Sequence, residues 1–140
     1  IRDVERSRGL GDVYKRQVLK AHKFTYNAAL MTGADLWHKD REAAFARYGP
    51  MSDWDVSEIT PMRALFGSEG RRRPNFNRGL GRWDVSRVTS MGCMLWGATS
   101  FNQRLGGQWA TSTADKECMF YGGCPGSIEG KTNDANGTPW

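Results

Sequence analysis

Trp83-Asp84-Val85-Ser86-Arg87-Val88-Thr89-Ser90-Met91-Gly92-Cys93-Met94-Leu95-Trp96-Gly97-Ala98-Thr99-Ser100-Phe101-Asn102-Gln103 is the segment from which the chain can be read outward, because its flanks repeat it. Upstream stands Trp54-Asp55-Val56-Ser57-Glu58-Ile59-Thr60-Pro61-Met62-Arg63-Ala64-Leu65-Phe66, and downstream Cys118-Met119-Phe120-Tyr121-Gly122-Gly123. Phe76 to Phe101, Asn77 to Asn102, Leu80 to Leu105, Met94 to Met119 and Gly97 to Gly122 are each separated by 25 residues. Trp54 to Trp83 and Leu65 to Met94 are separated by 29, so about four residues enter the first interval, most economically around Glu69-Gly70-Arg71-Arg72-Arg73-Pro74. A period of about 20–29 residues is that of solenoids in which each repeat forms one coil.

Two local periods coexist inside one repeat. Trp83 and Val85 alternate with Asp84 and Ser86, which predicts a short strand with one buried face. Met91, Met94 and Leu95 fall at i, i+3 and i+4, which predicts a helical turn entered through Thr89 or Ser90 and ended by Gly97. Phe101 and Leu105 are the inward positions of the returning loop. Asn77 and Asn102 follow inward aromatics, where stacked copies would form a side-chain ladder or simply face solvent in a turn.

Before the repeats, Leu30, Trp37, Ala44, Phe45 and Tyr48 share one helical face, and Gly49-Pro50 ends the pattern. Asp40 is placed to cap a second short helix. The expected architecture is therefore α/β: a short leucine-rich-repeat-like solenoid, strand plus helical turn per coil, whose open end is covered by a helical N-terminal cap. The expected divisions are the cap at 24–50, about three coils at 51–123, and a poorly ordered, irregular tail at 124–140. The third copy decays, with Trp109 one place late and Lys116 where Met91 stands in the second. Asp12-Val13-Tyr14-Lys15-Arg16-Gln17 corresponds to the translated end sequence of a transposon used to prepare sequencing libraries, so residues 1–17 are expected to be adapter-derived and disordered, and the chain a fragment of a larger protein.

The 140 residues suffice for one small domain. Glycine, at 17 residues, lies well above its usual share of about 7%, which favours turns over long elements. The net charge of +5 is too modest to point to nucleic acid by itself. No apolar run approaches the roughly 18 residues of a membrane span.

No catalytic constellation assembles. His22 and His38 are the only histidines, and both lie in the lead-in. Cys93, Cys118 and Cys124 form no C-x-x-C pair, so no metal or cofactor is expected and the chain is not read as an enzyme. Asn133-Asp134-Ala135-Asn136-Gly137 lacks the bidentate Glu of a calcium loop. Asn136-Gly137-Thr138 has the form of a glycosylation sequon, with Pro139 against its use. Candidate partner-binding residues are Trp96 and Tyr121, which share a repeat position, and the Arg71-Arg72-Arg73 cluster. Cys93 and Cys118 also share a repeat position, within reach of a disulfide if the coils stack tightly; two free thiols are the alternative.

The pattern Trp-Asp-Val-Ser-x-Val-Thr-x-Met-x-x-Met-Leu/Phe, followed by Gly-Ala-x-Ser-Phe-Asn-Gln-x-Leu, resembles the BspA-like leucine-rich-repeat surface proteins, in the short-repeat branch first noted as a mycoplasma family of unknown function. Leu30 to Trp37, Tyr48-Gly49-Pro50 and Asp53-Trp54-Asp55-Val56-Ser57 resemble the lead-in that such proteins carry, so the likeness spans about residues 24–123. It implies an extracellular or cell-surface, non-catalytic repeat module for adhesion or recognition of a protein or cell-surface ligand. Two other readings stand beside it: a basic polyanion- or nucleic-acid-binding domain centred on Arg71–Arg73, and a non-catalytic part of a hydrolase.

Overall fold

A computed structural model of the chain describes residues 21–67 and 72–140; the expected adapter at 1–17 and Arg71 lie outside the described residues. The fold is mixed α/β. Helices α1 (Asn27–Lys39) and α2 (Arg41–Tyr48) precede a 3-10 turn at Met51–Asp53, then β1 (Arg104–Leu105), a one-turn helix α3 (Gln108–Thr111) and β2 (Ser127–Ile128). β1 and β2 pair in parallel, with Leu105 opposite Ile128.

The two N-terminal helices form where the apolar periodicity predicts. Leu30, Ala34 and Trp37 of α1 and Ala44 and Tyr48 of α2 are buried, and the Asp40 carboxylate accepts from Ala43 N at 3.1 Å, capping α2. Gly49, at φ 76°, closes it in the left-handed conformation that glycine adopts without steric cost. The Trp37 ring meets the Trp54 ring edge-on at 6.0 Å, so the helices lie against the first repeat. Residues 22–24 run beside it: Phe24 N donates to Asp55 O and Asp55 N to His22 O, both at 2.9 Å.

Between the repeats, backbone pairing follows the sequence period. Met62, Ala64 and Phe66 donate to the carbonyls of Ser90, Gly92 and Met94 at 2.8, 2.9 and 2.9 Å. Met91, Cys93, Leu95 and Gly97 donate to Asp115, Glu117, Met119 and Tyr121 at 2.7, 3.0, 2.9 and 2.8 Å. Matching rings also stack: Phe76 on Phe101 at 5.9 Å and 4°, and Trp54 on Trp83 at 6.4 Å and 17°. Two indoles reach back to a neighbouring turn, Trp83 Nε1 to Met51 O at 2.8 Å and Trp109 Nε1 to Leu80 O at 3.0 Å. Met51 and Leu80 each stand three places before the preceding Trp, so the late Trp109 recovers the same bond once α3 takes up the extra residue. A buried indole N–H left unpaired would cost about 1–3 kcal/mol, which explains why the ring and the carbonyl recur together.

Several expectations are corrected. Trp83–Val85 forms no strand, although Trp83 and Val85 are buried as expected; Val85 N donates to the Gln108 side chain at 2.8 Å instead of to a neighbouring backbone. Met91–Leu95 forms no helix. Cys93 has φ 57°, and the equivalent Ala64 and Cys118 have 57° and 58°, so each copy contains a left-handed residue that interrupts helical bonding and turns the backbone toward the next copy. Thr89 caps no helix, because its hydroxyl donates across to Thr60 O at 3.3 Å. The Asn pair does meet, though through one side chain only: Asn77 Oδ1 accepts from Asn102 N at 3.4 Å and from Gln103 Nε2 at 2.8 Å.

Residues 124–140 do not trail from the fold. Ile128 is 1% exposed, and Asn133 and Pro139 bridge in antiparallel fashion. From that hairpin, Gly137 O accepts from Phe120 N at 2.9 Å and Thr138 Oγ1 from Cys118 N at 2.8 Å. These are the donors that a further repeat would otherwise have received. Asp134 makes the turn, its Oδ1 accepting from Asn136 N at 2.8 Å and Thr138 N at 3.0 Å, and its Oδ2 from Trp140 Nε1 at 2.9 Å.

Candidate functional site: an aromatic edge and an arginine-lined cleft

The turn that carries the left-handed residues also fixes the exposed aromatics. Trp96 N bonds back to Cys93 O at 3.1 Å, and Gly97 follows at φ 78°. The equivalent positions of the three copies are Gly67, Trp96 and Tyr121, so the aromatic column begins at the second. Trp96 is half-buried, Tyr121 is 40% exposed, and their rings meet edge-on at 5.1 Å and 89°. Gly122 is required beside them: its φ is 80°, and a Cβ there would come within 2.8 Å of the Trp96 ring. The two predicted contact residues are thus brought together as one edge, with Tyr121 the more accessible.

The arginine cluster is divided. Arg73 is ion-paired with Asp35 of α1 at 2.9 Å, and Arg72 is exposed, its stem passing over Gly97. Both line a cleft of 310 Å³ between α1 and the loop Pro74–Arg78. Arg41 and Arg78 enter the same cleft, with their guanidinium carbons 6.0 and 5.6 Å from the Trp37 ring centroid. Sequence reasoning named Arg72 and Arg73 but missed Arg41 and Arg78, since neither helical period nor repeat period links them.

His38 also lines this cleft. Its Nδ1 lies 2.8 Å from Ala34 O, an acceptor, which places the proton on Nδ1 and leaves Nε2 as a lone pair. Burial holds its pKa below the usual imidazole range, and nearby Arg73 and Arg41 push the same way. His22 is the other histidine. It packs on the rings of Phe24 at 4.6 Å and Tyr48 at 4.7 Å, and burial lowers its pKa too, with a smaller push from Arg47.

The cysteines are free thiols, Cys93 and Cys124 buried and Cys118 half-buried. The register expected for a Cys93 to Cys118 bridge is present, since the bonds at Cys93 and Leu95 flank it. The two thiols are nevertheless not bonded to each other. Burial raises the Cys93 and Cys124 thiols above their usual range.

Lys116 occupies the place of Met62 and Met91 and is 8% exposed. Its ammonium donates to Ser112 O at 2.7 Å and Ala114 O at 3.2 Å, while burial lowers its pKa. The recurring spacing of Asp and Ser has a local cause: Asp55 Oδ1 accepts from Ser57 Oγ and Asp84 Oδ1 from Ser86 Oγ, both at 2.6 Å. These hydroxyl bonds hold both carboxyls below the usual range. They are turn-forming residues, which accounts for their recurrence without any chemistry.

Among the described residues, no helix is long and apolar enough to cross a membrane, and no cluster of three His, Cys, Asp or Glu side chains is placed to hold a metal ion. No curated protein and no solved structure matches the chain. A family model does: residues 39–126 match the family described as "Mycoplasma protein of unknown function, DUF285", a span that takes in the repeats and the helix leading into them, and the chain belongs to that family.

Proposed function

We propose that this chain is a non-catalytic recognition module, a short leucine-rich-repeat-like solenoid displayed at a cell surface as part of a larger protein, and that it contacts a protein or cell-surface ligand through the edge bearing Trp96 and Tyr121. The observation that carries this reading is the paired aromatic edge. It presents large amphipathic rings from successive copies, and in-register backbone bonds hold them rigid, so little conformational freedom is lost on contact. The solenoid reading draws its support from those bonds, spaced 28 residues from Met62 to Ser90 and 24 from Met91 to Asp115, each one less than its sequence period.

The test uses a panel of purified cell-surface and matrix glycoproteins, with the chain titrated against each. Trp96→Ala with Tyr121→Ala is expected to weaken a detected interaction by at least about tenfold, since hot-spot aromatics contribute about 2 kcal/mol or more. The melting temperature should change little by comparison. Unchanged affinity, or no binding to any member, overturns the reading. A steep loss of affinity with salt would transfer the interaction to the arginines, because binding that neutralises several anionic groups releases counterions.

A further inference from the structure

Cys93 and Cys118 stand opposite one another across the second and third copies. The bonds from Cys93 N to Glu117 O at 3.0 Å and from Leu95 N to Met119 O at 2.9 Å hold them in register, and Ser90 and Asp115 form a parallel bridge on the same side. Backbones joined in this way run about 4.8 Å apart, inside the Cα separation of about 4.4–6.8 Å that a disulfide spans. Burial is the main reason that the Cys93 thiol titrates high; Arg63 opposes it and Cys118 adds to it, an effect that needs the two sulfur-bearing side chains close in space. The third cysteine is engaged elsewhere, with Cys124 Sγ buried and donating to Phe101 O at 3.7 Å. Ala64 holds the equivalent place in the first copy, so only the second and third can be joined.

We propose that Cys93 and Cys118 form a reversible disulfide by exchange with a small disulfide such as oxidised glutathione, and that this bond locks the edge carrying Trp96 and Tyr121. Cys118 is half-buried and Cys93 buried, so the exchange begins at Cys118. Its thiolate attacks one sulfur of the small disulfide, forming a mixed disulfide and releasing one small thiolate, which takes up a proton. Cys93 loses its proton to water, and its thiolate attacks the Cys118 sulfur and expels the second small thiol. The two cysteines give up two electrons and two protons, and the small disulfide becomes two thiols. Arg63 is placed to favour the Cys93 thiolate, since its guanidinium lies against Gly92, where any Cβ would collide with it. The turns carry the effect to the edge. Trp96 N bonds to Cys93 O and Tyr121 N to Cys118 O, both at 3.1 Å, so the bridge ties together the two turns that present the rings. The bond itself stands on the register alone, while its bearing on ligand contact rests on the recognition reading.

The experiment incubates the full chain with equimolar reduced and oxidised glutathione, blocks the remaining thiols and maps tryptic peptides by mass spectrometry. Cleavage releases Cys93 in 88–104 and both Cys118 and Cys124 in 117–131. The folded chain should give the two peptides linked, Cys124→Ser should give the same product, and Cys118→Ser should lose it. In concentrated urea the product should change to a bond within 117–131, because the shorter loop closes more readily. Oxidation should raise the melting temperature by roughly 5–10 °C and slow hydrogen exchange at the Trp96 and Tyr121 amides several-fold, both changes being reversed by a reducing agent. A bond within 117–131 in the folded chain, glutathione adducts without linkage, or a linked product that survives Cys118→Ser would overturn the bridge. Unchanged exchange at the two amides would overturn the locking of the edge. Neither readout uses a ligand, so failure here is distinct from failure of the recognition reading.

Discussion

The first and last repeats are closed in different ways. At the N-terminal end, α1 and α2 bury Leu30, Ala34, Trp37, Ala44 and Tyr48 against the Trp54 side of the first copy. At the C-terminal end, a hairpin turned by Asp134 offers Gly137 O and the Thr138 hydroxyl to two backbone donors of the third. One closure is made chiefly of apolar area and the other chiefly of hydrogen bonds. Each answers the deficit at its own end: the first copy exposes aromatic faces, the last exposes an unpaired backbone edge.

That comparison is broken if the two ends respond alike to deletion of their main contacts. Leu30→Ala, at a fully buried position of α1, should cost about 2–5 kcal/mol in urea unfolding through lost transfer energy and the cavity left behind. Thr138→Val, which removes the acceptor of Cys118 N, should cost about 1–3 kcal/mol. A larger loss at Thr138 than at Leu30 would make the polar closure the dominant one.

A smaller effect sharpens the comparison through pH. His22 and His38 both lie at the N-terminal end with lowered pKa values, so the folded state binds fewer protons than the unfolded chain. Their contribution is fully present above the unfolded histidine pKa of about 6.5 and is lost as pH falls from there toward the folded values. Asp134 at the other end has its carboxyl held low by the Trp140 indole, with the Thr138 backbone second. Its contribution is present above about pH 4 and is lost only as pH falls toward its folded value. Residue-resolved hydrogen exchange should therefore show α1 and α2 loosening first on mild acidification. Earlier loosening of 132–140 would reverse the assignment.

The smallest expected effect lies between the ends. Ala64→Gly should stabilise the chain by up to about 1 kcal/mol, because alanine at φ 57° is strained and glycine is not. A loss of stability, measured by thermal unfolding, would mean that the methyl group contributes more by packing than the backbone loses.

The difference between the two ends also explains what could be read beforehand. The helices were legible because an apolar face recurs at helical spacing from Leu30 to Tyr48, and the Asp40 cap because its side chain acts within its own segment. The C-terminal closure was not, because the meaning of Thr138 depends on a donor at Cys118 and nothing local announces it. The turn at Met91–Leu95 was misread for a related reason. Its i, i+3, i+4 spacing fits a helix, but the carbonyls of Asp115, Glu117 and Met119 offer Met91, Cys93 and Leu95 partners outside the segment, and the backbone adopts a left-handed residue to reach them. The candidate site was half legible: Trp96 and Tyr121 share a repeat position, while the cleft joins Arg41, Arg72, Arg73 and Arg78 from segments without a common period.

The sequence by itself determined the period, the identity of the inward residues from Trp54 to Leu105, and the two N-terminal helices, since these follow from spacing and from which side chains water rejects. Only the tertiary structure decided that the pairing between repeats runs through a left-handed turn and not a strand and a helix, how the last edge is closed, and which arginines share a cleft. Those depend on hydrogen bonds and charges meeting across some 24 to 40 residues of chain, such as Met91 to Asp115 and Arg73 to Asp35, and local spacing carries no record of such partners.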